Sequence, residues 1–265
     1  MPEHLPQAPH FTVCLQILSL ATRYTRCLDV LNDNTLGTPE ATERIIRLRT
    51  AVESLAEEAA DVRAAHEKLP MSLIDHTDTT IRSRLAQLRV VTGAAVDALT
   101  RAVEDFDAAS FASIGARQTS VDSARELLAT AAHDLVACAE RVAAEMHRYR
   151  GSYSIPEVGA NVTLTAEHHQ VLRLIATGVV AVGEDGRVWV GLDKDSVSAD
   201  VLLDLEQLGL ITDEPSASWA DEVRVASTPM GRLVLAATLS RPEPLKANNQ
   251  PAYAAPSPRS RGARR

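Results

Sequence analysis

The sequence predicts a mainly α protein, with an N-terminal antiparallel helical bundle or coiled coil over residues 11–150 and a smaller C-terminal α+β domain over residues 164–240. Three observations carry this prediction. Apolar residues recur at spacings of three and four throughout 11–150, as in helices with one buried stripe. The segment GSYSIPEVGANVT, residues 151–163, then loses that period and gathers Gly and Pro, which marks a linker. Beyond it, helical stretches are interleaved with short alternating runs such as RVWV and EVRVAS, which suit strands. A chain of 265 residues, 45% hydrophobic, is long enough to bury a core in each part.

The first helix is expected from about Phe11 to Asn32. Its apolar run FTVCLQILSLA follows Pro2, Pro6 and Pro9 with no Lys or Arg before it, and Gln16 interrupts it. It therefore reads as a core-facing helix rather than a signal peptide, and it is too short to span a bilayer. In NDNTLGTPE, Gly37 punctuates a turn, Thr38 is placed to cap the next helix, and Pro39 suits its first position. The second helix runs to about Lys68 and places Ile45, Leu48, Val52, Leu55, Ala59, Val62, His66 and Leu69 on one heptad seam. After Pro70 the third helix carries Ile81, Leu85, Leu88, Thr92, Ala95, Leu99, Ala102 and Phe106 on a stripe, and SIGARQTSVDS is expected to break it near Gly115. A fourth follows with Leu128, Ala132, Leu135, Ala139, Val142, Met146 and Tyr149 inward. Long helices joined by short turns favour antiparallel neighbours. Their Ala-rich seams bury little area per residue, so homodimerisation through the helical region is expected to add burial.

In the C-terminal part, TAEHHQVLRLIATG reads as a helix capped by Thr165, with Val171, Leu172, Leu174 and Ile175 inward. VVAVGEDGRVWVG is a hairpin around Glu184, Asp185 and Gly186, with Trp189 expected in the core. VSADVLLDLEQLGLI is a helix running into a strand, with Gly209 at the stop. EVRVAS returns as a strand, and TPMGRLVLAA opens a last helix with Thr228 capping and Pro229 in its first turn. From Arg241 the chain holds five prolines and few large apolar residues, so residues 241–265 are expected to be a disordered basic tail.

These C-terminal residues resemble the winged helix-turn-helix family, in particular MarR-like bacterial regulators. The resemblance rests on LEQLGLI, on the hairpin after it, and on VASTPMGR, and it covers about residues 164–238. It implies a winged-helix domain whose reading helix is ADVLLDLEQ and whose wing is DEPSASWADE, residues 213–222. One departure concerns topology: where the family has a short helix before the reading helix, this chain has the Gly186 hairpin and LDKDS. The N-terminal helical region resembles no family.

The second departure concerns charge. Residues 161–240 hold 12 acids against five bases, while residues 241–265 hold six bases against one acid, within a formal net charge of -8. With Leu202, Leu205 and Leu208 inward, the reading helix turns Ala199, Asp200, Leu203, Asp204 and Gln207 outward, with Ser198 near its cap. Phosphate neutralisation supplies most of the affinity of a DNA binder, so carboxylates on this face oppose groove reading. The reading taken is a non-enzymatic bacterial regulatory or adaptor protein whose winged-helix module docks a protein partner through Asp200, Asp204, Trp219, Asp221 and Glu222. Asp200 and Asp204 also suit an ordinary solvated helix face, and Trp219 either anchors an interface or folds back onto the sheet. The alternative is a dimeric DNA-binding regulator using Ser198 and Arg224 together with Arg259, Arg261, Arg264 and Arg265 of the tail. For it, Arg173, Arg187, Lys194, Arg224 and Arg232 would have to assemble into one basic patch.

No phosphate-binding, dinucleotide-binding or nucleophile-elbow motif is present, so no enzyme activity, catalytic residue or cofactor is expected. Adjacent His168 and His169 diverge by about 100° on a helix and cannot grip one metal, so they read as surface residues. His66 falls on a seam and reads as a core histidine. Cys14, Cys27 and Cys138 form no metal or disulfide pattern and read as reduced, buried thiols of a cytoplasmic protein. Lys occurs only at 68, 194 and 246 among 27 basic residues, which together with abundant Ala suggests a high-GC bacterial genome. No membrane partner is expected.

Overall fold

The computed structural model describes residues 9–69, 77–104, 111–148, 164–183, 186–191, 197–216 and 222–239. Over these the chain is mainly helical, with one small antiparallel sheet in its C-terminal part. The first helix, α1 (Pro9–Leu31), is buried on nearly every side: Phe11, Cys14, Ile17, Leu18, Ala21, Tyr24 and Leu31 are all inaccessible. A helix apolar around its whole circumference must lie inside the molecule. Here α1 packs on α2 (Thr42–Glu67), α4 (Phe111–Leu128) and α5 (Ala131–Arg148), while α3 (Thr77–Glu104) lies on α2 and α4. The Tyr24 hydroxyl reaches across to Thr92 of α3 at 2.6 Å, so the one polar atom of that ring is satisfied in the core.

The α2 seam is buried as its spacing predicts, His66 included, and so are the described stripe residues of α3 and α5. Phe106 and Tyr149 lie outside the described residues. Two expectations from the loops are overturned. Pro39–Ala41 form a 3-10 turn and α2 begins at Thr42. The Thr38 hydroxyl donates back to the Thr35 carbonyl at 2.9 Å instead of capping α2. Nor does the chain break at Gly115, which lies inside α4; α3 is described to Glu104, and the region expected to hold two helices holds three, with a turn at Ala129 and Thr130 between α4 and α5. An exposed helical Gly costs about 1 kcal/mol, and the buried stripe Arg117, Val121, Ala124 and Leu128 offsets it.

Arg117 is the element of that stripe that periodicity of apolar residues passes over. Its side chain is fully buried, and its guanidinium donates to the Ala102 carbonyl (3.0 Å), the Thr38 carbonyl (2.7 Å) and the Thr42 hydroxyl (2.8 Å). One residue thus ties α4 to the end of α3 and to the start of α2. Burial holds its pKa below the usual arginine value.

Beyond residue 163 the order is α6 (Ala166–Thr177), β1 (Val180–Gly183), β2 (Val188–Val190), α7 (Ala199–Gln207), β3 (Ile211–Pro215), β4 (Glu222–Ser227) and α8 (Pro229–Leu239). The four strands pair antiparallel in the order β2-β1-β4-β3, so the Gly186 hairpin expected from sequence is present at the sheet edge. Trp189, expected in the core, is instead 46% exposed, because β2 is an edge strand whose alternation puts Val188 and Val190 on the covered side. Both α6 and α8 pack on α1 and α5, and Val171, Leu172, Ile175, Leu205, Val225 and Leu235 join the same apolar core as α1. Gly178 ends α6 at φ +77°, and a Cβ there would lie 2.4 Å from the Thr25 methyl of α1. The sheet part is therefore seated directly on the buried first helix. Among the described residues no helix is long and apolar enough to cross a membrane.

Candidate functional site

The face singled out by the sequence belongs to α7. Val201, Leu202 and Leu205 are buried and fix its rotation. Its end is a Schellman turn: Gly209 at φ +67° donates to the Glu206 carbonyl (2.8 Å), and Leu210 donates to the Leu205 carbonyl (2.9 Å). Leu205 and Leu210, at the positions that flank this motif, are both buried in the core. Ser198 stands at the N-cap with no side-chain cap bond. Outward lie Ala199, Asp200, Asp204, Glu206 and Gln207, with Leu203 52% exposed. Leu208, expected inward, is 41% exposed, since the chain is already turning toward Gly209.

Asp204 has a neighbour that helical spacing does not supply. His168, a surface residue by its sequence context, is buried, because its ring completes the capping box of α6. The Thr165 backbone N–H lies 3.2 Å and its hydroxyl 2.6 Å from the ring Nδ1, and Nε2 lies 3.5 Å from the Asp204 carboxylate. Asp200 and Glu206 have no ion pair among the described residues. No group of three or more metal-ligating side chains occurs among those residues.

Two bases of the C-terminal part, Arg224 and Arg232, are turned inward. Arg224, a candidate nucleic-acid contact, is 6% exposed and is removed from that role by its surroundings. It sits opposite Glu214 in the β3–β4 register and is ion-paired with it; its Nη1 donates to the Thr25 carbonyl of α1 at 3.1 Å, and the Asp29 carboxylate lies 3.9 Å away. From α1, Arg26 Nε donates to Glu214 at 3.1 Å, and Ser216 donates to Asp29 at 2.6 Å. Hydrogen bonds from Arg26, with further ones from Arg224, hold the Glu214 carboxyl below the usual carboxylate range despite its partial burial. Arg173 is bonded to Glu140 of α5 at 3.0 Å. Arg232 donates to the Ser227 carbonyl at 2.7 Å, and burial, reinforced by the positive charge of Arg26, lowers its pKa. Among the described residues the dispersed bases thus form no surface patch: Arg187 is exposed at the β1–β2 turn, and Lys194 lies outside those residues.

Of the expected wing acids, Asp213 is exposed on β3 and Glu214 is turned inward into the ion cluster. Glu222 opens β4 with its backbone paired to Gly183. Trp219, Asp221, Arg259, Arg261, Arg264 and Arg265 lie outside the described residues, as does the whole segment 240–265. Sequence reasoning missed the cluster of Arg26, Asp29, Glu214, Ser216 and Arg224. The only local signal was the i, i+3 pair Arg26 and Asp29, which is ordinary on any helix.

Elsewhere, a cavity of about 210 Å³ opens between α3 and the α4–α5 turn, lined by Leu88, Val91, Leu127 and Thr130. Its two charged groups, Arg84 and Asp134, are paired with each other. All three cysteines are free and buried, as expected, and burial pushes Cys14 up to about 12 and Cys27 and Cys138 up to about 11. They hold their protons at neutral pH and are poor nucleophiles. Comparison with protein-family models, with curated proteins and with solved structures found no match in any of the three.

Proposed function

We propose that this chain is a non-enzymatic cytoplasmic adaptor or regulator in which a helical bundle presents a winged-helix-like module, and that the outward face of α7 docks a cationic protein segment. One observation carries the reading: Arg173, Arg224 and Arg232 are each engaged by groups of the same chain, whereas Asp200, Asp204 and Glu206 of α7 are exposed. Residues 199–207 of α7 contain three acids and no base. A DNA reader needs the opposite arrangement, with Lys or Arg free to displace counterions from phosphates. The exposed Leu203 and Leu208 add apolar area beside Asp200, Asp204 and Glu206, the mixture of anchor and charged rim that protein interfaces use. Docking through α7 does not require the dimer suggested by the Ala-rich seams, because α1 already lies against α2, α4 and α5 within one chain.

The test is a competition between two ligands. A fluorescein-labelled arginine-rich peptide and a labelled mixed-sequence duplex are titrated with the full chain at about 50 to 200 mM salt, the range in which phosphate contacts lose most affinity. Peptide binding that drops at least ten-fold in Asp200→Asn/Asp204→Asn, with no duplex binding, is expected. Duplex binding that is tighter than peptide binding and unaffected by these substitutions would return α7 to the DNA-reading role.

A further inference from the structure

Among the described residues the outward face of α7, apart from Asp204 beside His168, has no partner, and a suitable occupant belongs to the same chain. We infer that residues 241–265 fold back on α7 and cover Asp200, Leu203, Asp204 and Leu208, so that the docking face is masked in cis until a stronger cationic partner displaces the tail. The inference rests on the docking reading above and adds its regulation.

Charge, composition and reach each favour this occupant. Residues 259–265 hold four arginines, and the tail as a whole has six bases against one acid, while α7 carries Asp200, Asp204 and Glu206 exposed and no base. Leu245 and Tyr253 are the large apolar residues of the tail, and they match an apolar surface that is otherwise open to water. That surface extends to the start of α8: Thr228 donates to the Leu210 carbonyl through its N–H (3.0 Å) and to the Gly209 carbonyl through its hydroxyl (2.7 Å). These bonds place Met230, 51% exposed, at the same end as Leu208. From there α8 runs 11 residues to Leu239, about 16 Å at the helical rise. Arg259 is a further 20 residues along, and a chain of that length reaches at most about 70 Å, so it is long enough to return to α7. Tethering also supplies an effective concentration on the order of millimolar, so a contact too weak to hold in trans is populated in cis.

The experiment uses the full chain. Because Cys14, Cys27 and Cys138 are buried, a nitroxide attached through Ser257→Cys labels the tail alone. At low salt the amide resonances of residues 199–208 should lose intensity. They should recover at about 300 mM salt, where exposed charges are screened within a few ångströms, and in Asp200→Asn/Asp204→Asn. Undisturbed α7 resonances at low salt, or broadening that ignores these two substitutions, would overturn the inference. Mixing nitroxide-bearing, unenriched chains with isotope-enriched, unlabelled ones separates the sources: broadening in the mixture places the tail on a second copy and overturns the cis contact. A labelled peptide of residues 256–265 is then titrated into the wild type and into a full-length variant with Arg259→Ser, Arg261→Ser, Arg264→Ser and Arg265→Ser. At least ten-fold tighter binding to the variant supports masking. Equal binding to both leaves the docking reading standing and removes the masking; binding to neither removes both.

Discussion

Glu214→Gln keeps the volume of the side chain and removes its charge, and the structure sets the size of the effect. Glu214 is shared between Arg26, whose Nε lies 3.1 Å away, and Arg224, which is 6% exposed and has little water to fall back on. Removing one partner of a buried ion pair costs about 3–5 kcal/mol. Two features reduce that here. The Thr25 carbonyl and the Asp29 carboxylate remain near Arg224, and Glu214 itself is partly exposed. A loss of about 2–3 kcal/mol is expected, corresponding to about 5–10 °C for a chain of this size. The measurement is urea unfolding followed by circular dichroism at pH 7, where the midpoint should fall with the slope unchanged. Because the folded Glu214 carboxyl titrates below its ordinary value of 4.5, its contribution is complete above that value and lost as pH falls through the folded pKa. Wild type and Glu214→Gln should therefore converge in acid. A difference below about 0.5 kcal/mol at pH 7, or one that persists undiminished in acid, would show that the β3–β4 hairpin is held on α1 by packing and not by this ion cluster.

Two further outcomes are expected. Gly178→Ala imposes a left-handed backbone on a Cβ residue, about 1–2 kcal/mol, and drives that Cβ into Thr25, an overpacking cost of about 1–3 kcal/mol. Thermal unfolding of Gly178→Ala in a Thr25→Ala background should recover part of the loss, and equal losses in both backgrounds would refute the close approach. His10 and His66 are both buried, and burial lowers their pKa below the ordinary 6.5, with His66 adding to the shift at His10, Arg82 lowering His66 further and Glu67 partly opposing it. Their unfolded forms take up protons first, so stability should be level above 6.5 and fall as pH drops toward the folded values, with a limiting slope of about 1.4 kcal/mol per histidine per pH unit. The double variant His10→Gln/His66→Gln should flatten that fall in pH-dependent urea unfolding; an unchanged slope would assign the acid sensitivity to other groups.

Much of the local structure is legible because it depends on residues close together in the chain. The seam of α2, the Thr165 cap, the Gly186 hairpin, the Gly209 stop and the Thr228 and Pro229 start of α8 each follow from spacings of two to four residues or from a single backbone conformation. The same reasoning misplaced the break at Gly115, because a buried stripe that begins with Arg117 does not register as apolar. It also misplaced Trp189 and Leu208, whose exposure depends on which side of an edge strand or helix end the rest of the molecule covers.

What the sequence determined by itself is therefore the helical character of the N-terminal part and the mixed elements of the C-terminal part, the charge contrast between α7 and the tail, and the lack of a nucleotide-binding or nucleophile motif. Those properties are local or additive along the chain. Only the tertiary structure decided that α1 is the shared interior of both parts, that Arg224 and Glu214 are committed to α1, and that His168 faces Asp204. Arg26 and Glu214 are 188 residues apart, and no periodicity relates such positions. Their pairing follows from apolar burial, which docks the sheet on α1 and brings charges that would otherwise be solvated against one another.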